Sequence, residues 1–214
     1  MYERQGDPQK ALAAYQRTLP ITRSAVKADP GSLFAQVALD IETAKIGMQE
    51  VRLGNKAAGK DVGTGVEGCE HLLRANPSKS FYESLLVVGY SYQGETLSAF
   101  GNQPAAQKRY SDALAMATLL RQENPPDLDS LLSIAKIHDS LGVALARGTR
   151  YDQARQEFAA ARSSSEELLR IRPQDAEALY LSGLIREHFA LLETCSSGRA
   201  CSNIAKWRLP IPTN

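Results

Sequence analysis

The feature that most constrains this chain is a set of prolines at an almost constant interval. The interval is 47 or 48 residues, and the prolines are Pro30, Pro77, Pro125 and Pro173. A small residue follows each of them by seventeen positions: Gly47, Gly94, Gly142 and Ala190. Two independent markers that keep the same phase indicate an internal repeat. A repeat of this length is one supersecondary unit that is stacked several times.

Each interval has the pattern of two helices. Apolar residues three and four apart mark one helical face, as in Val37, Ile41, Ala44 and Met48. Proline lacks a backbone N–H and moves the preceding residue out of the α region, so a helix ends before each marker proline. Glycine tolerates left-handed φ and marks the other turn, at Gly6, Gly54 and Gly101. Ala and Leu supply 55 residues and Val and Ile only 17, a balance that favours helix.

The spacing of these markers resembles the tetratricopeptide repeat. The matching residues in order are Gly94, Gly101, Ala106, Tyr110 and Pro125. The resemblance implies an all-α, right-handed superhelical solenoid of antiparallel helix pairs. The usual repeat has about 34 residues, and the surplus here is about 14, or nearly two helical turns per helix. Long repeats of this kind resemble arrays found behind bacterial Ser/Thr kinase domains, which suggests the regulatory part of a larger signalling protein.

The repeat divides the chain into a helical domain and a tail. We expect about eight long helices in residues 1–197 and a short C-terminal helix with an extended, proline-containing tail in 198–214. The helical domain consists of a half-repeat (2–30), three repeats (31–77, 78–125, 126–173) and an orphan first helix (174–197). The chain begins out of phase, so its first helix lacks a partner and Met1 is either a native start or a boundary. Trp207 is a candidate cap.

Composition argues against several function classes. The net charge is +1, so neither nucleic acid nor an anionic membrane is expected as the partner. The polar N-terminus is unlike a signal peptide and no apolar run approaches a membrane span, so we expect a cytoplasmic protein, with an exported domain of a larger membrane protein as the alternative. Cys69, Cys195 and Cys201 with three histidines lack zinc-site spacing, and no metal is expected. A Cys195–Cys201 disulfide is left open.

One segment contains two patterns typical of phosphate binding. Gly54 to Lys60 fits G-x-x-x-x-G-K, and Gly63 to Gly68 fits G-x-G-x-x-G. Asp61 stands where a phosphate-binding loop needs Ser or Thr, and a helical segment precedes it instead of a strand. We therefore favour a packing interpretation, in which a neighbouring helix approaches closely or this helix is frayed and forms a joint or a gap for a partner. Nucleotide binding remains a second alternative, and no cofactor is expected.

The resemblance also places a binding surface on the first helices of the repeats. Their groove-facing positions are Ala44, Met48, Arg52, Ser91, Glu95, Asp139, Val143, Arg147, Glu187 and Leu191. Apolar residues alternate there with carboxylates, a mixture that suits a segment with apolar and basic side chains and repels a peptide carboxylate. The predicted function is a non-catalytic scaffold that binds a peptide or partner protein. The first alternative is a homodimerisation module that uses exposed end helices.

Overall fold

The computed structural model describes residues 7–75, 80–125 and 128–196, and these form an all-α protein. Eight α-helices account for nearly all of the described residues: α1 (Pro8–Ala28), α2 (Leu33–Arg52), α3 (Gly59–Ala75), α4 (Ser80–Ala99), α5 (Gln103–Glu123), α6 (Leu128–Arg147), α7 (Tyr151–Ile171) and α8 (Ala176–Ser196). A short 3₁₀ turn, Lys56–Ala58, precedes α3. The predicted helix content and the number of long helices are therefore confirmed.

The turn residues act as the sequence predicts. Helices α1, α3, α5 and α7 each end two residues before a marker proline. In the other turns, Gly54 has a φ of 94° and Gly101 a φ of 83°, which glycine adopts without strain. Thr149 adopts the same left-handed region in the third such turn, with a φ of 61°. The side chain of Asp7 caps α1 by accepting a hydrogen bond from the Lys10 N–H.

The structure divides into two compact units. The first unit contains α1, α2, α3 and most of α4, up to Thr96. Consecutive helices run antiparallel in it, since Gly47, late in α2, packs against Val62, early in α3. Helices α2 and α4 are the first helices of successive repeats, and they run parallel. Residues near the C-terminal end of each are in contact: Met48 accepts a hydrogen bond from Thr96, and Arg52 pairs with Glu95.

The second unit, from Leu97 onward, repeats this arrangement. Its core includes a cluster of Ala135 from α6, Ala161 from α7, and Leu181 and Ile185 from α8. Helices α6 and α7 are antiparallel, since Leu131 packs on Leu168 and Gly142 on Phe158. Helices α6 and α8 are parallel, since Lys136 pairs with Glu177 and Asp139 with His188. In this unit α6 thus packs both on α7, the next helix, and on α8, the next but one, as expected of stacked helix pairs.

Close contact between α2 and α3 requires glycine at one position of each helix. A Cβ on Gly65 would lie 2.3 Å from the carbonyl oxygen of Asp40 in α2, and one on Gly47 would lie 2.9 Å from the Ala58 carbonyl oxygen. Two backbones therefore approach too closely for any side chain at these positions. Gly63 has no such neighbour. Close approach, the first of the two interpretations offered for this segment, explains Gly65.

No helix within the described ranges has the length and apolar character that a bilayer span requires. Gly6, Pro77, and the tail that carries Cys201 and Trp207 lie outside the described residues.

Candidate interaction site

The structure buries the small and apolar residues that were predicted to face a groove. Ala44, Met48 and Val143 are almost fully inaccessible to solvent. Ala44 lies against Gly65 of α3, and Met48 packs in a cluster with Val62 and Tyr92. The prediction that these three side chains line an open surface is therefore wrong. In α2 this face is covered by α3, the second helix of the same repeat, and by α4, the first helix of the next repeat.

Two more of the predicted residues form an ion pair with each other. Arg52 of α2 donates from Nε and Nη2 to the two carboxylate oxygens of Glu95 of α4, both at 2.8 Å. The side chains are only 10% and 9% exposed. Arg52 also donates to Gln49. A bidentate pair of this kind is strong and directional, and here it joins two successive first helices.

Asp139 is likewise engaged inside the protein. Its Oδ1 lies 2.8 Å from Nδ1 of His188 in α8, and both residues are 2% exposed. The His188 ring also packs on Phe158 of α7, with 5.7 Å between ring centroids. Phe158 in turn fills the space beside Gly142, where a Cβ would lie 2.6 Å from the phenyl ring. One polar pair and one aromatic ring thus tie α6, α7 and α8 together.

Two further pairs on α6 were not found from the sequence. His138 lies 2.7 Å from Glu157 of α7, and Lys136 pairs with Glu177 of α8. For Asp139 and His188 the signal is a pair of complementary polar residues 49 positions apart, about one repeat, which places them on successive first helices. Periodicity within one helix cannot show it.

The most exposed of the predicted site residues lies on α8. Ser91 donates to the Val87 carbonyl oxygen of its own helix, and Arg147 contacts the Ser98 hydroxyl. Leu191 is half-buried like Ser91 and Arg147, whereas Glu187 is exposed. Leu179 and Tyr180 are 50% and 46% exposed beside them, and Gly183 has nothing within 4 Å of a Cβ position. The α8 face, defined by Leu179, Gly183, Glu187, Ala190 and Leu191, is the candidate interaction site.

The phosphate-binding patterns have a different role. The second pattern lies within α3, and its last glycine, Gly68, faces the Asp40 carboxylate, with a Cβ position 2.3 Å from Oδ2. A carboxylate at this point would repel a phosphate. Burial raises the pKa of Asp40 to about 6. Burial, with the Asp40 and Glu70 charges, also raises the pKa of the neighbouring Cys69 thiol to about 12, which makes it a poor nucleophile.

Comparison with known proteins gives information on the fold alone. No protein-family profile and no curated protein sequence matches the chain. Among solved structures, it is similar to the crystal structure of BtubC (BKLC) from P. vanneervenii, with a TM-score of 0.59 and 16% sequence identity. The similarity covers 93% of this chain and 69% of that chain. At this level of identity the similarity supports a shared helical fold.

Proposed function

We propose that the chain is a non-catalytic, tetratricopeptide-like interaction scaffold that takes up a helical partner segment on the α8 face. The observation that carries the proposal is the contrast between α6 and α8. Leu131 is buried in α6, whereas Leu179, 48 residues later, is half exposed in α8. The α8 face therefore has the composition of a packing surface without a neighbour among the described residues.

The packing of α6 indicates which partner chemistry would fit. Helix α7 covers α6 by placing Phe158 beside Gly142, Ala161 beside Ala135 and Leu168 beside Leu131. The aligned positions in α8 are Ala190, Gly183 and Leu179. The α8 face thus suits an amphipathic helix that carries an aromatic residue, a small residue three positions later and a large apolar residue near its end. Glu187 favours a basic side chain on that partner.

The contacts of the histidines and buried carboxylates also support a non-catalytic scaffold. His138, Asp139, His188 and Glu95 each bond to a neighbouring helix. These contacts join neighbouring helices, and Glu95, Asp139 and His188 are buried among them away from solvent, which favours a structural role.

A labelled peptide with the sequence of residues 151–171 tests this proposal, since it is the natural cover of the aligned face in α6. We expect saturable binding, measured by fluorescence anisotropy, that Ala190→Arg abolishes and Glu67→Lys, on the exposed face of α3, leaves unchanged. A peptide with Phe158→Ala should bind less tightly. Equal binding to the wild type and to Ala190→Arg would place the site elsewhere.

A further inference from the structure

Helix α1 exposes the face that α7 buries. The two helices align with an offset of 143 residues, which matches Ala11 and Tyr15 to Ala154 and Phe158. In α7, Ala161 and Leu168 are buried against α6. The aligned residues of α1, Thr18 and Ala25, are exposed, and Ile21 beside them is 70% exposed. Within the described residues, α1 is a second helix without its first helix.

Helix α8 presents the opposite case. It is a first helix whose Leu179, Gly183 and Ala190 are exposed, although the aligned residues of α6 are covered by α7. The α8 face needs a second helix, and α1 is a second helix that needs a first one. The α8 face therefore corresponds to the α6 side of the contact between α6 and α7, and the exposed face of α1 corresponds to the α7 side.

The polar residues are complementary in the same register. Lys45 of α2 lies over the Tyr15 ring, 5.6 Å from its centroid, just as the aligned His188 lies 5.7 Å from Phe158. His188 has a carboxylate partner in Asp139, but Lys45 has no ion pair within the part of the chain that the structure describes. The carboxylate aligned with Asp139 is Glu187, which is exposed and also lacks an ion pair among the described residues.

A third position follows the same register. Glu177 of α8 pairs with Lys136 of α6. The residue of α2 that aligns with Glu177 is Phe34, which is 60% exposed, and the residue of α8 that aligns with Lys136 is Leu184. An ion pair inside the protein thus corresponds to two apolar residues at the two faces. Both combinations are complementary.

We propose that α1 and α2 of a second copy of this chain cover the α8 face, head to tail, with Tyr15 beside Ala190 and Lys45 paired to Glu187. The proposal rests on the function proposed above and names the partner as the protein itself. Because the two contacting faces differ, each added copy offers a further α8 face. The assembly therefore grows beyond two copies unless it closes into a ring.

The first experiment blocks each face separately in the complete chain. Light scattering of the wild type should show a mass that rises with concentration beyond that of a dimer. Ala190→Arg and Ile21→Arg should each remain monomeric, and an equimolar mixture should form a 1:1 complex, since each variant retains one intact face. A dimer that persists in Ala190→Arg, or a mixture that stays monomeric, would overturn the proposal. A monomeric wild type that still binds the 151–171 peptide would reject self-association and leave the proposed function standing.

The second experiment tests the register. Glu187→Lys and Lys45→Glu should each raise the dissociation constant about tenfold or more, because each places two like charges together. The double variant carries the pair in reverse and should recover most of the affinity. Glu67→Lys makes the same charge change on α3 and should have no effect. A double variant that associates more weakly than either single variant would contradict the assigned pair, and circular dichroism verifies that each variant is folded.

Discussion

Gly65 of α3 lies directly against the main chain of Asp40 in α2, so close that a Cβ on Gly65 would be 2.3 Å from the Asp40 carbonyl oxygen. The contact is between two backbones, and neither can move aside as a flexible side chain would. It fixes the distance between α2 and α3. The close approach of α2 and α3 thus depends on a glycine of the glycine-rich helix.

Alanine substitutions in α3 should therefore have opposite effects at two positions. Gly65→Ala should destabilise the protein by about 1–3 kcal/mol, because the added methyl group forces the two helices apart. Gly63→Ala meets nothing within 4 Å and should stabilise it by up to about 1 kcal/mol, through the higher helix propensity of alanine. Urea unfolding followed by far-UV circular dichroism measures both. Stabilisation by Gly65→Ala would show that the backbones do not touch.

The carboxyl of Asp40 should make stability depend on pH. Burial raises its pKa from 3.8 to about 6 in the folded protein, so the folded state binds the extra proton between these values. Its contribution to stability is complete below about pH 4 and is lost as the pH rises through about 6. Asp40→Asn should flatten this part of the profile and stabilise the protein above pH 6 by about 1 kcal/mol, since Asp40 is half exposed and partly screened.

The control for this experiment is Glu67→Gln, which neutralises an exposed carboxylate on α3 and should keep the slope of the parent protein. Melting temperatures measured from pH 4 to pH 8 give the comparison. A slope in Asp40→Asn equal to that of the wild type would assign the pH dependence to another group.

The sequence predicts the helices well because their ends depend on local chemistry. Pro125 and Gly101 end helices through their own backbones, and both can be identified from single residues. The burial of Met48 and Asp139 depends instead on helices that come about one repeat later. Helical periodicity shows that a residue lies on a face, but not that a next-but-one helix covers this face. For this reason the predicted groove residues are mostly internal, and the one exposed residue among them, Glu187, lies on the α8 face, for which the described chain supplies no cover.

The pair of Arg52 and Glu95 should be sensitive to geometry as well as to charge. Arg52→Lys keeps the charge but cannot donate two parallel hydrogen bonds, and it should cost about 1–2 kcal/mol. Glu95→Ala leaves Arg52 in a largely buried position without its partner and should cost about 3–5 kcal/mol. Arg162→Lys, whose partner Glu166 is exposed, is the matched control and should cost less than about 1 kcal/mol. Equal costs for Arg52→Lys and Arg162→Lys would show that burial adds nothing to the first pair.

The buried pair of Asp139 and His188 should behave as one unit. Asp139→Ala removes the hydrogen-bond partner of a ring that is 2% exposed and should cost about 2–4 kcal/mol, from the unsatisfied nitrogen and the lost volume. His188→Leu alone should cost a similar amount, because it leaves the Asp139 carboxylate without its partner in the core. The double variant Asp139→Val/His188→Leu replaces both polar groups with apolar ones and should cost clearly less than the sum of Asp139→Val and His188→Leu. Urea unfolding of the wild type, Asp139→Val, His188→Leu and the double variant gives the coupling energy between the two residues. A coupling energy near zero would mean that the 2.8 Å contact does not stabilise the second unit.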